Sequence, residues 1–274
     1  MRNFPDVVEP KKGRTMKVRL MTSNIWGDYF HNPVEPRAPL LTEVFKRWDP
    51  DILGMQEVTG NWWKSELFSE LDKAYVRVPA EQPEKINYTP LFFRKEKFEL
   101  LASGRHLFHE PLDCSKGWSY GVFKSRVDAK ILAVFDTHFW WKSELRDEVI
   151  RRYNAMETVA AMKEIGAKFS CPVFLMGDLN CKCDSMTWEY LREQGWQTSF
   201  LCTDDHSSCS SNHHNPVIHA DGTCTGSTTD EPKENSIDHI AIPAGVKVLR
   251  QYTVIDREAL DASDHSPVYA DVEI

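Results

Sequence analysis

Five apolar segments of this chain carry a carboxylate, amide or imidazole group at one end. The residues are Asn24, Glu57, His138, the pair Asp178 and Asn180, and the pair Asp264 and His265. The backbone at a strand end is rigid while the adjoining loop faces water, and open sheets bind their ligands at such positions. Because all of these side chains can hold metals or move protons, their repeated placement predicts one active site.

Hard oxygen donors make up one part of this set. Glu57 and Asp264 are carboxylates suited to Mg²⁺ or Mn²⁺, and Asn24 adds an amide oxygen. Magnesium in proteins usually takes one or two carboxylates, keeps several waters and meets the phosphate oxygens of a substrate. These three residues therefore predict a divalent-metal site.

Proton-handling side chains make up the other part. His265 follows the second metal carboxylate and His138 ends a separate strand, so the two suit general-base and phosphate-stabilising roles near neutral pH. Asp178 and Asn180 are two residues apart and face the same way if their backbone is extended. One of them can then hold an attacking water while the other donates to a phosphoryl oxygen. Asp238 is the predicted carboxylate that fixes an imidazole tautomer.

Mixed strands and helices must position these residues. Apolar and alternating runs predict strands at 16–24, 52–56, 74–78, 90–94, 97–101, 119–126, 129–136, 173–177, 237–242, 247–254 and 267–273. Helical spacing predicts helices at 39–47, 62–72, 144–166 and 185–194, the third of which is expected to stop at Gly166. This mixture predicts two β-sheets packed face to face with helices outside.

Length and composition predict a single domain. The 274 residues are enough for one large core, no Pro/Gly/Ser linker interrupts them, and the candidate site residues spread from 24 to 265. We expect one domain over 16–274, preceded by an N-terminal extension at 1–15. This extension is charged and contains Pro5 and Pro10, so it does not resemble a signal peptide.

The net charge and the number of cysteines limit the possible binding partners and the cellular location of the protein. The net charge of −8 opposes non-specific binding to nucleic acid, which depends on Lys and Arg neutralising phosphates. Seven cysteines, an odd number, together with the lack of an export signal, indicate a reducing compartment, so the expected location is the cytoplasm. No apolar stretch approaches the length of a membrane span, so no membrane partner is expected. The oligomeric state stays open.

Tryptophans bear on the substrate. Trp26, Trp62, Trp140 and Trp141 each follow a proposed catalytic position within six residues, and loops at one rim of a sheet would gather them into a stacking wall. The alternative is that several of them anchor helices to the core. The polar segment 202–235 is predicted to be a long loop and a lid over the site, although its cysteines and histidines also permit a structural zinc site.

Six short motifs, in this order, carry a resemblance to a known family. They are Thr22-Ser23-Asn24, Gln56-Glu57-Val58, Thr137-His138, Gly177-Asp178-Leu179-Asn180, Ser236-Ile237-Asp238 and Ser263-Asp264-His265. Over residues 16–274 the chain resembles the endonuclease/exonuclease/phosphatase superfamily. The resemblance implies a four-layered α/β sandwich like that of deoxyribonucleases, in which two packed mixed β-sheets are flanked by helices.

The resemblance also implies metal-assisted hydrolysis of a phosphate ester and a role for each residue. Glu57, with Asn24 and Asp264, would hold Mg²⁺ or Mn²⁺. His265 would be the general base, oriented by Asp238. Asp178 and Asn180 would position water and phosphate, His138 would stabilise charge on the phosphoryl oxygens, and Tyr88 would lie near the scissile phosphate. The list of implied site residues is thus Asn24, Glu57, Tyr88, His138, Asp178, Asn180, Asp238, Asp264 and His265.

Two segments depart from the family pattern. Asn87 stands where some nuclease members carry an acidic residue, so a carboxylate partner for His138 is missing at that position. His106-Leu107-Phe108-His109-Glu110-Pro111 stands where a Trp-rich stretch is often found.

Three functions are compatible with the sequence. The leading interpretation is a Mg²⁺- or Mn²⁺-dependent phosphoesterase acting on a small or medium phosphate mono- or diester, such as a sugar phosphate, nucleotide or short oligonucleotide. The second is a DNA or RNA nuclease, which should have a basic strip beside the site. Only scattered cations such as Lys116, Lys124, Arg126 and Lys142 are present. A catalytically inactive binding module is the third, and it is disfavoured because every expected catalytic position carries a competent side chain.

Overall fold

A computed structural model describes residues 15–29, 32–79, 86–109, 113–207, 217–218, 224–225 and 236–274. All but the last residue of the predicted extension 1–15, and most of the predicted lid 202–235, lie outside the described residues.

Strands and helices alternate through the described residues. The strands are β1 (Lys17–Asn24), β2 (Ile52–Gln56), β3 (Tyr75–Arg77), β4 (Leu91–Arg94), β5 (Phe98–Leu107), β6 (Gly117–Ser125), β7 (Ile131–His138), β8 (Val173–Asp178), β9 (Trp196–Thr198), β10 (Val217–Ile218), β11 (Cys224–Thr225), β12 (Asp238–Pro243), β13 (Lys247–Thr253) and β14 (Val268–Glu273). The helices are α1 (Ala38–Trp48), α2 (Glu66–Leu71), α3 (Leu145–Phe169), α4 (Met186–Glu193) and α5 (Arg257–Ala262).

Two six-stranded mixed sheets form the centre of the molecule. The strand order of the first sheet is β13-β14-β1-β2-β4-β3, and that of the second is β5-β6-β7-β8-β12-β9. Each sheet contains one central parallel pair, β1 with β2 and β7 with β8, while the other neighbours are antiparallel. The parallel pairs bring four strand ends to one rim of the molecule, and this rim carries the predicted site residues.

Three apolar layers separate the sheets and helices. One core lies between the two sheets and includes Leu20 of β1 and Val134 of β7. Their chain neighbours point the other way: Met21 packs against α1, α2 and α5, and Phe135 packs against α3 and α4. Strands buried on both faces read as continuous apolar runs rather than alternating ones. The predicted four-layered sandwich is therefore confirmed.

Several element boundaries differ from the sequence prediction. α3 passes through Gly166 and ends at Phe169, where Ser170 takes a left-handed conformation with φ of 49°. Gly166 lies against the second sheet: a Cβ there would be 3.0 Å from Cγ2 of Val173, so the glycine permits close packing rather than ending the helix. β9 and α5 were not foreseen, because elements of three and six residues are too short to show a period.

The length of α3 raises the question of a membrane span. None of the helices in the described part of the chain is both long enough and apolar enough to cross a bilayer.

Candidate active site

Strand register places three of the predicted residues in one row of the second sheet. His138 at the end of β7 pairs with Asp178 at the end of β8, and Asp238 at the start of β12 pairs with the same aspartate. Gly177 makes this close pairing possible, since it has a φ of 146° and a Cβ there would lie 2.0 Å from the Thr137 carbonyl oxygen. Both side-chain carboxyls and the imidazole are buried.

The first sheet contributes Asn24 and Glu57 from the ends of β1 and β2. The Asn24 Nδ2 group donates to Oε1 of Glu57 at 3.2 Å and to Oδ2 of Asp178 at 3.0 Å, so one amide bridges the two sheets. Its Oδ1 atom accepts from the backbone N–H of Trp26 at 3.0 Å. The amide nitrogen, rather than the predicted oxygen ligand, therefore faces the carboxylates. Offering the oxygen to a cation requires a flip of this amide.

The segment between α5 and β14 brings Asp264 and His265 to the same rim. Ser263 Oγ donates to the Asn24 carbonyl oxygen at 2.7 Å, and the backbone N–H of His265 donates to Ser263 Oγ at 3.2 Å. This serine therefore fixes the segment against the end of β1. This contact brings Asp264 and His265 close to Asn24 and Glu57, from which they are distant in sequence.

His265 is held between two carboxylates. Its Nδ1 atom lies 2.8 Å from Oδ2 of Asp238, which is the pairing that the sequence predicts, and its Nε2 atom lies 3.9 Å from Oδ2 of Asp178. Burial lowers the pKa of His265, but the two aspartates outweigh burial and raise this pKa well above its ordinary value. Asp238 therefore holds the Nδ1 side of the ring, and Nε2 is the nitrogen on the side of Asp178.

His138 has different surroundings. Its Nε2 atom lies 2.5 Å from Nζ of Lys116 and 3.3 Å from Oδ2 of Asp178, and its buried Nδ1 atom has no hydrogen-bond partner among the described residues. Burial and the Lys116 charge lower the pKa of His138, against the opposing effect of Asp178. The Nδ2 group of Asn87 donates to Ser119 Oγ at 3.0 Å and so supplies no carboxylate to this histidine.

Lys116 is the site residue that sequence reasoning missed. It directly precedes β6, whose first residue, Gly117, pairs with His138, and its side chain is only 4% exposed. Burial lowers the pKa of Lys116, while Glu57 and Asp178 raise it. Lysines are rarely buried unless paired, and the partner of the Lys116 ammonium is Nε2 of His138. In the sequence it looks like one of several scattered cations, and only the pairing of β6 with β7 reveals its place.

The carboxylates of Glu57 and Asp264 line the same pocket as Lys116 and form its acidic corner. Glu57 Oε2 accepts from the backbone N–H of Gly27 at 2.8 Å, whereas Asp264 Oδ1 is buried without a partner among the described residues. Burial, together with the charges of Glu57 and Asp178, raises the pKa of Asp264 to about 7 despite the lowering effect of His265. An unpartnered buried carboxyl oxygen beside a second carboxylate fits a hard divalent cation.

These groups open into one pocket with a volume of about 830 Å³. Aromatic side chains line its outer part: Trp26, Tyr29, Tyr88 and Trp141. Tyr88 thus lies at the pocket, where the family resemblance puts it. Three residues of this rim, Trp26, Glu57 and Asn180, have a positive φ of 55°, 63° and 51°. Backbone strain of this kind clusters at sites that bind or react.

Two of the predicted stacking tryptophans do not line the pocket. Trp62 is fully buried in the core beneath α1, with Nε1 donating to the Trp26 carbonyl oxygen at 3.0 Å, so its assignment to a substrate wall is wrong. Trp140 is half-buried, and its Nε1 donates to Asp147 of α3 at 2.7 Å. Trp141 is 58% exposed and does line the pocket.

Comparison with known proteins identifies a family. A family model described as the endonuclease/exonuclease/phosphatase family matches residues 21–265. The chain belongs to this family. The matched range contains every predicted site residue, and the family consists of hydrolases that act on phosphate esters. The resemblance inferred from the six motifs is therefore confirmed.

Solved structures of this family share the fold at low identity. A family protein from Bacteroides vulgatus is 24% identical with a TM-score of 0.76, covering 94% of this chain and 99% of its own. One from Bacteroides thetaiotaomicron is 21% identical with a TM-score of 0.77, covering 95% and 99%. A mannosyl-6-phosphatase from B. thetaiotaomicron is 20% identical with a TM-score of 0.73, covering 93% and 99%. A search of curated proteins found no match.

Proposed function

We propose that this chain hydrolyses the phosphate ester of a small or medium substrate, such as a sugar phosphate, nucleotide or short oligonucleotide. One observation carries the proposal. Across a single pocket, the carboxylate-paired His265 faces a second histidine, His138, which instead lies against the buried cation Lys116. A base on one side and a positive group on the other is the arrangement that attack of water on a phosphate anion needs.

Glu57 and Asp264 are the residues that would hold a divalent cation, with Asn24 as a third ligand after its amide flips. When bound, Mg²⁺ or Mn²⁺ would neutralise charge on the phosphate oxygens and on these carboxylates. The orphaned oxygen of Asp264 and the carboxylate of Glu57 beside it fit such an ion. Acidic neighbours also raise the pKa of His265, and a cation in their midst opposes that effect.

His265 is the proposed general base. Asp238 accepts from its Nδ1–H at 2.8 Å, so the neutral ring carries its free lone pair on Nε2. That atom faces Asp178 at 3.9 Å, a gap in which a water held by Asp178 can pass its proton to the imidazole. Asp178 itself is fixed by the Asn24 amide and by the backbone N–H of Asn180 at 2.9 Å.

Lys116, His138 and Asn180 are the proposed phosphate-binding groups. Lys116 is a buried ammonium with three donors, and it reaches the pocket beside the His138 ring. The Asn180 side chain uses one N–H on the Phe139 carbonyl oxygen at 3.1 Å, which leaves its second N–H for a ligand. Charge-assisted hydrogen bonds to phosphate are stronger than neutral ones.

Substrate size follows from the outer part of the pocket. Trp26, Tyr88 and Trp141 offer faces on which a sugar or a base can stack. Among the residues that the structure describes, the lysines lining the pocket are Lys116 and Lys182, and these two do not form the extended basic strip that a nuclease binding long DNA requires. A compact phosphate ester therefore fits this pocket better than a duplex.

The experiment is a substrate screen on the purified chain with Mg²⁺ or Mn²⁺. Sugar phosphates, nucleotides, short oligonucleotides, bis-phosphodiesters and plasmid DNA are compared, with excess chelator and His265→Ala as controls. We expect turnover of a compact ester that both controls abolish and that varies little between 50 and 200 mM salt, in contrast to the roughly 10³- to 10⁵-fold loss of affinity typical of multi-phosphate contacts. Nicking of plasmid DNA alone, with steep salt sensitivity, would replace this proposal with the nuclease.

A further inference from the structure

Two histidines and a glutamate meet outside the active-site pocket. His106 is the penultimate residue of β5, His109 follows it by three residues, and Glu157 projects from α3. The His106 Nε2 atom lies 2.9 Å from Oε2 of Glu157, and the His109 Nδ1 atom lies 2.8 Å from the same oxygen. None of the three residues lines the pocket, and the proposed reaction does not use them.

The three side chains form a convergent ligand set. Their nitrogen and oxygen atoms all lie within 4.8 Å of one another. Two imidazole nitrogens and one carboxylate oxygen suit zinc and related transition metals, whereas Mg²⁺ and Ca²⁺ prefer oxygen alone. We propose that His106, His109 and Glu157 bind Zn²⁺ at a site distinct from the Glu57 and Asp264 corner.

Packing holds two of the three ligands, His106 and Glu157, in place before any ion arrives, while the His109 side chain is 77% exposed. The His106 ring lies against Trp118, with centroids 5.1 Å apart and an interplanar angle of 31°. Its other neighbour is the His109 ring, at a centroid distance of 5.0 Å. Glu157 stands in the middle of a 25-residue helix. Ligands on packed rings and a long helix lose little freedom on binding, and a partly exposed cluster leaves room for water as a fourth ligand.

The site would join an edge of the molecule to the pocket. β5 is the edge strand of the second sheet, and Glu157 would clamp its end to α3. Phe108, between the two histidines, donates its backbone N–H to the carbonyl oxygen of Lys116 at 3.2 Å. An ion held by this cluster thus stabilises the backbone beside Lys116, and the melting temperature should rise when zinc binds.

Cobalt is the probe that separates this site from the others. The chain is stripped with chelator, given saturating Mg²⁺ to occupy the oxygen corner, and titrated with Co²⁺. We expect one equivalent to produce visible d–d bands without the thiolate charge-transfer band that cysteine ligands give. His106→Gln with His109→Gln should abolish these bands. Glu157→Gln should weaken Co²⁺ and Zn²⁺ binding more than about tenfold, since even an indirect partner of a metal ligand is worth that much.

Glu164→Gln is the matched control, because Glu164 is exposed on the same helix and outside the cluster. It should leave affinity and bands unchanged. Unchanged bands in the double histidine variant, or a thiolate band in the wild type with no other signal, would overturn the proposal. Should the double variant not fold, zinc-edge anomalous maps of wild-type crystals decide: a peak about 2.0–2.2 Å from the three atoms supports the site, and density absent there refutes it.

Discussion

His265 and His138 are both buried and both within 4 Å of Oδ2 of Asp178, yet their surroundings differ. Asp238 holds the first ring at Nδ1, whereas the second ring has a lysine at Nε2 and an Nδ1 atom to which no described residue bonds. The pKa of His265 is accordingly raised by carboxylates and that of His138 lowered by burial and Lys116. Environment, rather than residue type, separates a base from a phosphate donor.

This contrast also accounts for the departure at Asn87. A carboxylate beside a histidine favours its charged form, and among the described residues only Asp178 lies within ion-pair distance of His138. Lys116 supplies the charge instead, at 2.5 Å from the ring. Nε2 of His138 then accepts one of the three N–H donors of Lys116, and the lysine carries the positive charge into the pocket.

The largest effect should come from breaking the His265 side. His265→Ala is expected to lower kcat by roughly 10²–10⁴-fold, the usual worth of a general base. Asp238→Asn should lose a sizeable part of that factor, because the ring is no longer held in its tautomer. Steady-state kinetics on the substrate found by screening measure both. Asp184→Asn, an exposed carboxylate change, is the control and should keep full activity. Near-normal kcat in His265→Ala would contradict the assignment.

Breaking the His138 side should act differently. Lys116→Met removes a buried cation without leaving a hole, so we expect an intact fold and a loss of kcat/KM of roughly 10²–10³-fold, as for other groups that stabilise transition-state charge. Lys182→Met is the matched control, since Lys182 lines the same pocket but is exposed. It should cost less than about threefold. Equal losses of kcat/KM in the two lysine variants would show that Lys116 contributes no more to catalysis than an exposed lysine of the same pocket.

Two neighbouring tryptophans sharpen the comparison at the outer rim. Trp141 lines the pocket on the His138 side, while Trp140 is fastened to Asp147. Trp141→Ala should raise KM for a ring-bearing ester by about fivefold or more, corresponding to ~1 kcal/mol of stacking, with little change in kcat. Trp140→Ala should instead lower the melting temperature. If Trp140→Ala raises KM and Trp141→Ala lowers only the melting temperature, the substrate contacts Trp140 rather than Trp141.

The smallest effect concerns Asp136, a buried carboxyl to which no described residue offers a charged partner. Asp136, on β7, accepts from Gln56 Nε2 at 2.6 Å, and burial raises its pKa well above the ordinary value. A carboxyl with a raised folded pKa stabilises fully below its unfolded pKa and loses that contribution as pH rises through the folded pKa. Asp136→Asn should therefore gain on the wild type between pH 5 and pH 8, by a few degrees in melting temperature at most.

Thermal melts of both proteins across this range measure the difference. Asp72→Asn, exposed after α2, is the control and should give a difference independent of pH. A gap between Asp136→Asn and wild type that shrinks with rising pH would show that the folded carboxyl is stabilised in its charged form. Asp136 would then resemble the pocket carboxylates, which have charged partners.

Much of the fold follows from short-range sequence signals. Apolar runs such as that of β8, buried on both faces, identify central strands, and their polar end residues identify the rim. His138, Asp178 and Asp238 meet because strand register puts them in one row, which the strand ends already imply. The Asp238–His265 pairing, by contrast, is what the family resemblance implies, since His265 lies outside the strands.

What the sequence hides depends on tertiary packing. Trp62 follows Glu57 as closely as a pocket residue would, but it packs under Arg37, whose guanidinium lies 4.9 Å from its ring. The Asn24 amide direction depends on the Trp26 N–H, which no pattern encodes. The position of Lys116 beside His138 depends on the pairing of β6 with β7. Trp62 and Lys116 are placed by specific long-range contacts, whereas the Asn24 amide is fixed by a hydrogen bond from the backbone N–H two residues further on.

Equilibrium binding of inorganic phosphate, measured by calorimetry with saturating Mg²⁺, tests the division of roles most directly. Lys116→Met and His138→Asn should each weaken phosphate binding by roughly 10- to 100-fold, the worth of a charge-assisted hydrogen bond. His265→Asn should change the Kd by less than about threefold while abolishing most turnover, because a base acts on water rather than on the bound anion. Loss of phosphate binding in His265→Asn, with normal binding in Lys116→Met, would contradict the account.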